Sequence, residues 1–151
     1  MLSDLSIPGL QLELGKTLVS LRKEDEAAVA LRRALKQAPE DTEAAYYLGA
    51  LLSQSDGDSD EGIALLEQVR AKRPDSWGSL YYLGKALLKQ VKAAAAVPLL
   101  EKAAKLNANE SAIWFQLIQG DRKAARPADS RTATARFNAL KHEANRPLVL
   151  K

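Results

Sequence analysis

The tetrapeptide Tyr-Tyr-Leu-Gly occurs twice, at Tyr46-Tyr47-Leu48-Gly49 and at Tyr81-Tyr82-Leu83-Gly84. Each copy runs on through small and apolar residues to a glutamine, Gln54 and Gln90, and a third Leu-Gly pair stands upstream at Leu14-Gly15. Successive glycines are 34 and 35 residues apart. A repeat of that length with a helical pattern means two helices per unit, and such a unit buries its apolar face only by stacking on its neighbours.

The second half of each unit keeps the same register. The small residues Ala27, Gly62 and Ala96 are followed four positions on by Leu31, Leu66 and Leu100, and three further on by Ala34, Val69 and Ala103. Offsets of four and seven put each trio on one helical face. Pro39 and Pro74 close two of these helices, because proline disfavours helix in the residue before it. The third unit has Ala108 at that place, so its helix must end on Asn107 and the start of the next helix. The units read as 8–41, 42–76 and 77–110. A fourth first helix is expected at about 111–120, with Trp114 and Leu117 but with Ile118 where the others carry glycine, which implies looser packing. After a loop at 124–128, a last helix is expected from Asp129 to Ala144. Its apolar stripe is Ala133, Phe137, Leu140 and Ala144, and Arg136, Lys141 and His142 lie on the other face. Such a polar outer face suits the end of a stacked array. Residues 146–151 read as a loose tail or a docking strand, and 1–151 as a single helical-repeat domain.

This pattern resembles the tetratricopeptide repeat family, whose units combine Leu-Gly, a small residue, aromatics and a closing proline. The chain keeps Leu-Gly three times, the small residue three times and the proline twice. Aliphatic residues replace two of the family's aromatics, Leu18, Leu52 and Leu87 at one position and Leu31, Leu66 and Leu100 at another. The likeness covers about residues 8–121. It implies an all-α fold: a right-handed superhelical solenoid of antiparallel helix pairs, with three full repeats, a degenerate fourth and a capping helix.

The resemblance also implies a concave face lined by the first helix of each unit. Carried across from the Leu-Gly register, that lining comprises Leu12 and Lys16, then Glu43, Tyr46, Ala50, Ser53 and Gln54, then Tyr81, Lys85, Leu88 and Lys89, and finally Phe115, Gln119 and Arg122. Tyr47 and Tyr82 fall at the groove's edge or between helices. With Tyr46, Tyr81 and Phe115 as rigid anchors and Lys16, Lys85 and Lys89 as charges, the face suits a peptide with an acidic group and an apolar side chain. The competing reading is that the tyrosines only pack between neighbouring units. Some family members grip the C-terminal carboxylate of chaperones with a clamp of Lys and Asn. The matching positions here are Leu12, Lys16, Tyr47, Gly78 and Tyr82, so one clamp residue in five is kept and that ligand is disfavoured.

Composition narrows the remaining classes. A content of 46% hydrophobic and 27% charged residues is that of a folded chain. The formal charge of +3 is too small and too dispersed to point to nucleic acid. Without cysteine there is no disulfide, thiolate metal site or cysteine nucleophile. No apolar run reaches the roughly 20 residues that cross a bilayer. The first ten residues lack the basic start and apolar stretch of a signal peptide, yet a leader removed beforehand leaves the compartment open.

The isolated mid-helix glycines Gly15, Gly49 and Gly84 read as points of close helix approach, not phosphate cradles. Asp56, Asp58, Asp60 and Glu67 stand at the offsets of a calcium-binding EF-hand loop, but Glu61 occupies the place where that loop needs glycine. The acidic run is better read as capping the next helix and opposing its dipole. Pro98 falls inside a helix and should kink it. His142 is the sole histidine and reads as exposed, and no glycine-flanked nucleophile is found. The expectation is therefore a module that holds another protein or peptide, with no cofactor and no catalysis. The alternative is a self-associating, homo-oligomeric fragment of a longer array.

Overall fold

The computed structural model describes Ile7 and residues 9–144. They form eight helices and no strand: α1 (Leu10–Ser20), α2 (Glu24–Gln37), α3 (Thr42–Ser53), α4 (Ser59–Lys72), α5 (Trp77–Lys89), α6 (Ala93–Leu106), α7 (Ser111–Lys123) and α8 (Pro127–Ala144). The chain divides into two compact units, residues 1–82 and 83–151, and the division falls within α5.

The odd-numbered helices α3, α5 and α7 begin alike. The Asp41 carboxylate accepts from the backbone N–H groups of Glu43 and Ala44, the Ser76 hydroxyl from that of Ser79, and the Glu110 carboxylate from that of Ala112. Each satisfies amide donors that have no partner within the helix. The even-numbered helices also share an ending. Ala38, Arg73 and Asn107 have φ near −140 to −130° and ψ near 80°, and each donates its N–H to the carbonyl four residues back. Asn107 adopts this conformation with no proline after it, so the turn belongs to the repeat, and Pro39 and Pro74 accommodate it.

Helices α1, α5 and α7 end on Arg22, Val91 and Ala125, all in the left-handed region at φ 59°, 62° and 58°. The N–H of the next residue then closes onto the carbonyl five back: Lys23 on Leu18, Lys92 on Leu87 and Arg126 on Asp121. The second repeat replaces this turn with the longer acidic segment 54–58. Asp58 stands at the start of α4 but makes no side-chain capping bond, which corrects the expectation of a hydrogen-bonded cap; Asp60 and Glu61 lie in the first turn, where their charge opposes the helix dipole. Glu67 lies on α4 and pairs with Arg70 at 3.0 Å.

The glycines bring the paired helices together. A Cβ at Gly15 would lie 2.6 Å from Leu31 Cγ, one at Gly49 2.9 Å from Leu66 Cγ, and one at Gly84 2.5 Å from Leu100 Cγ. Those three leucines are fully buried. In the first unit the core is Leu12, Ala28, Leu31, Ala34, Ala44, Leu48 and Leu52. In the second, Leu100, Ala103 and Ile113 are fully buried.

Pro98 falls inside α6, as expected, on the exposed side of the helix. Other local expectations are corrected. Helix α7 extends to Lys123 and α8 starts at Pro127, so the loop between them is shorter than the sequence suggests. Ile118 is buried in the packing, and the close approach moves to Gly120, where a Cβ would lie 2.9 Å from Val97 Cγ2. On α8, Ala133 and Leu140 are buried and Phe137 is half-buried, whereas Ala144 is exposed, as is His142. The tail at 146–151 lies outside the described residues.

Candidate functional site

Four tyrosines meet in the first unit. Tyr46 and Tyr47 are consecutive on α3, and Tyr81 and Tyr82 are consecutive on α5. Their rings form an unbroken edge-to-face series: Tyr47 to Tyr46 at 5.4 Å between centroids, Tyr46 to Tyr82 at 6.3 Å, and Tyr82 to Tyr81 at 5.0 Å. Such pairs contribute about 0.5–1.5 kcal/mol each beyond their burial. Tyr46 is the pivot. Its ring crosses to α5, where its hydroxyl lies against Gly78; a Cβ there would stand 2.3 Å from that oxygen. Loss of water around it, and to a lesser degree the neighbouring Tyr82 and Tyr47, push its phenol up to about 12.

A recess of about 310 Å³ opens beside this series, lined by Val19, Glu24, Tyr46, Tyr47, Ala50, Leu51, Gln54 and Tyr82. A second hollow of about 270 Å³ lies on another side of Tyr46 and Tyr47, with Thr42, Glu43 and Arg73 in its wall. The recess thus has an aromatic and aliphatic lining, one amide and one carboxylate. Gln54 donates to the Ser53 hydroxyl at 2.9 Å, which orients the amide.

The groove positions carried from the sequence sort into three groups. Tyr46, Ala50 and Gln54 are brought together around the recess, and Glu43 lies in the wall of the second hollow. Leu12, Ser53 and Leu88 are buried and present no lining surface. Leu12 belongs to the core of the first unit, the Ser53 hydroxyl donates to the Ala50 carbonyl, and the space beside Leu88 is taken by Gly120 of α7. Lys16 is present but is no free cation. Its ammonium donates to Glu43 at 2.8 Å and Glu13 at 3.2 Å and stands 5.7 Å over the Tyr47 ring. Its hydrogen bond to the Glu43 carboxylate, then that to Glu13, holds its proton more tightly than usual.

The remaining positions belong to α5 and to the second unit. Tyr81 and Lys85 are half-buried and Lys89 is exposed on α5. Phe115 keeps 44% of its surface and tilts onto Phe137 of α8 at 5.8 Å. Gln119 is half-buried and Arg122 exposed. Tyr47 and Tyr82, which the register put at the groove's edge or between helices, stand in the recess wall, and Tyr47 also borders the second hollow.

Tetratricopeptide repeat profiles match residues 18–81 and 54–111, together more than half of the chain. The chain is a tetratricopeptide repeat protein. Solved structures agree on the fold. "MamA RS-1 ArsTM double mutant" superposes with a TM-score of 0.82 at 20% identity, covering 94% of this chain and 79% of that one. "Crystal structure of MamA protein" gives 0.80 at 17% identity over 99% and 81%, and "MamA MSR-1 C2" gives 0.77 at 26% identity over 86% and 74%. No curated protein sequence matches. Tetratricopeptide repeats are protein-interaction scaffolds, and this repeat array is a scaffold of that general kind. No described helix is long and apolar enough to cross a membrane.

Proposed function

We propose that the first unit holds a short segment of a partner protein in the recess beside the tyrosine series. The observation that carries this reading is the recess itself: about 310 Å³ of open space lies beside the packed rings of Tyr46, Tyr47 and Tyr82. That volume takes one large side chain. Tyrosine presents broad apolar area at a small cost in side-chain entropy and dominates many binding hot spots. An apolar or aromatic side chain is the preferred guest. An acidic one is disfavoured, because Lys16 is already neutralised by Glu13 and Glu43 while Glu24 stands in the wall. This departs from the acidic peptide suggested by the groove register. The reading involves no reacting group and no cofactor.

Ala50 is half-buried at the recess and tests it with the least disturbance. In capture from the native lysate, Ala50→Trp, checked for unchanged helicity, should lose a partner that the parent chain retains. Identical captured proteins from both chains would remove the recess from the interaction.

A further inference from the structure

The second unit carries a cleft of about 640 Å³ where α7 ends and α8 begins. Arg122, Arg126, Ser130, Arg131, Thr134 and Asn138 supply its polar lining, and Ala125, Pro127 and Ala135 the rest. Its size lies within the range of ligand-binding clefts, about 300–1,000 Å³.

The repeat explains why a cleft exists there. In the preceding repeat, Leu88 and Val97 are buried at the place where α7 docks, and the missing side chain of Gly120 lets α7 approach them. Thirty-four residues on, the equivalent positions are Arg122 and Arg131, and Asn138 stands at the equivalent of buried Ala104. The groove that receives a helix in one repeat is therefore kept in the next with arginines in place of its apolar floor. A polar end would need only solvated side chains. Here two guanidinium groups line one concave site, and neither pairs with a carboxylate among the described residues. Arg126, by contrast, is held by Asp129 at 2.9 Å and Glu101 at 3.1 Å. The charge of the whole unit points the same way. Residues 83–151 contain 13 Lys and Arg against 5 Asp and Glu, whereas residues 1–82 contain 9 against 14.

We infer that the cleft between α7 and α8 is a docking site for an acidic segment of another protein, with its carboxylates on Arg122 and Arg131. Guanidinium groups grip carboxylates through paired N–H donors, and the Asn138 amide suits a peptide backbone, while the Thr134 hydroxyl, which donates to the Ser130 carbonyl at 2.7 Å, leaves its oxygen to accept. Nucleic acid fits less well. No aromatic ring lines the cleft for base stacking, and the first unit is net negative. A membrane surface fits less well again, since alanine and proline are the only apolar lining residues and offer nothing to insert.

The test uses the full chain and a fluorescein-labelled peptide with Glu at every fourth position and Ala and Leu between. Fluorescence anisotropy should show binding that weakens as salt is raised. Arg122→Gln with Arg131→Gln should weaken it by about tenfold or more, the loss of roughly 1.4 kcal/mol of paired charge, at unchanged helicity. Each arginine is exposed, so the pair can be replaced without opening the core. The inference is overturned by equal binding to both chains, or by no binding at all. It is also overturned if an RNA oligonucleotide of equal charge binds more tightly through the same arginines, or if the double variant's main effect is to lower the mass of the protein in solution. The last result would make the occupant a second copy of this chain.

Discussion

Val91 occupies the left-handed region at φ 62° with 82% of its surface exposed. A β-branched side chain is poorly suited to that conformation, which costs an L-residue about 1–2 kcal/mol relative to glycine. Nothing is gained in return, because the side chain lies in solvent. Val91→Gly should therefore raise stability by about 1 kcal/mol, read as a Tm roughly 2–4 °C higher, while exposed-surface changes elsewhere move it little. A fall in Tm would mean that the turn is held by contacts of the valine itself.

Asp121 presents the opposite case, a costly residue in the interior. It is 3% exposed, its Oδ1 has no hydrogen-bond partner, and Arg126 reaches it only at 3.9 Å. Burial raises its pKa, with Arg126 partly opposing. The sign follows from proton binding. Between the ordinary carboxylate value and the raised folded value, the folded chain holds more protons, so this group's contribution to stability improves as the pH falls through that window and is flat below it. Asp121→Asn should melt higher than the parent at pH 7, with the difference shrinking as the pH approaches 4. Parallel melting curves across that range would place the buried charge elsewhere.

At the scale of the helix pair, the closest approach is at Gly62. A Cβ there would stand 2.2 Å from Ser53 N and 2.7 Å from the carbonyl carbon of Leu52, so α4 meets the backbone of α3 with no side chain between. At Gly84 the nearest atoms belong to the Leu100 side chain, and at Gly49 to that of Leu66, with the Gly62 carbonyl oxygen farther off at 3.2 Å. A side chain can turn aside; backbone pressed as closely as at Gly62 cannot. Gly62→Ala should therefore destabilise the chain by about 1–3 kcal/mol in denaturant unfolding, although alanine is the better helix former by about 1 kcal/mol. A gain in stability would show that the two helices are not in backbone contact. The same pairing was legible in the sequence, since Ala27, Gly62 and Ala96 share one register. That register could not say which of the three positions tolerates no methyl group, because the answer depends on whether backbone or side chain stands opposite.

On the scale of the whole molecule, the repeat period alone determined the all-α fold and the helix pairs, because a 34-residue unit with one apolar stripe per helix has few ways to bury both stripes. Leu31, Leu66 and Leu100 and their facing glycines were readable for the same reason. Binding surfaces follow a different logic. A helical register states which side of a helix a residue occupies, but exposure depends on the neighbour that arrives there. Leu12, Ser53 and Leu88 share the register of Ala50 and Gln54 yet are covered, and Lys16 has its charge taken by Glu13 and Glu43. The tyrosine recess and the arginine cleft arise from spacing between helices, which no single helix encodes. The sequence by itself determined the repeat, its pairing and its family; only the tertiary structure decided which polar and aromatic residues remain open to a partner, because burial is a property of two surfaces meeting.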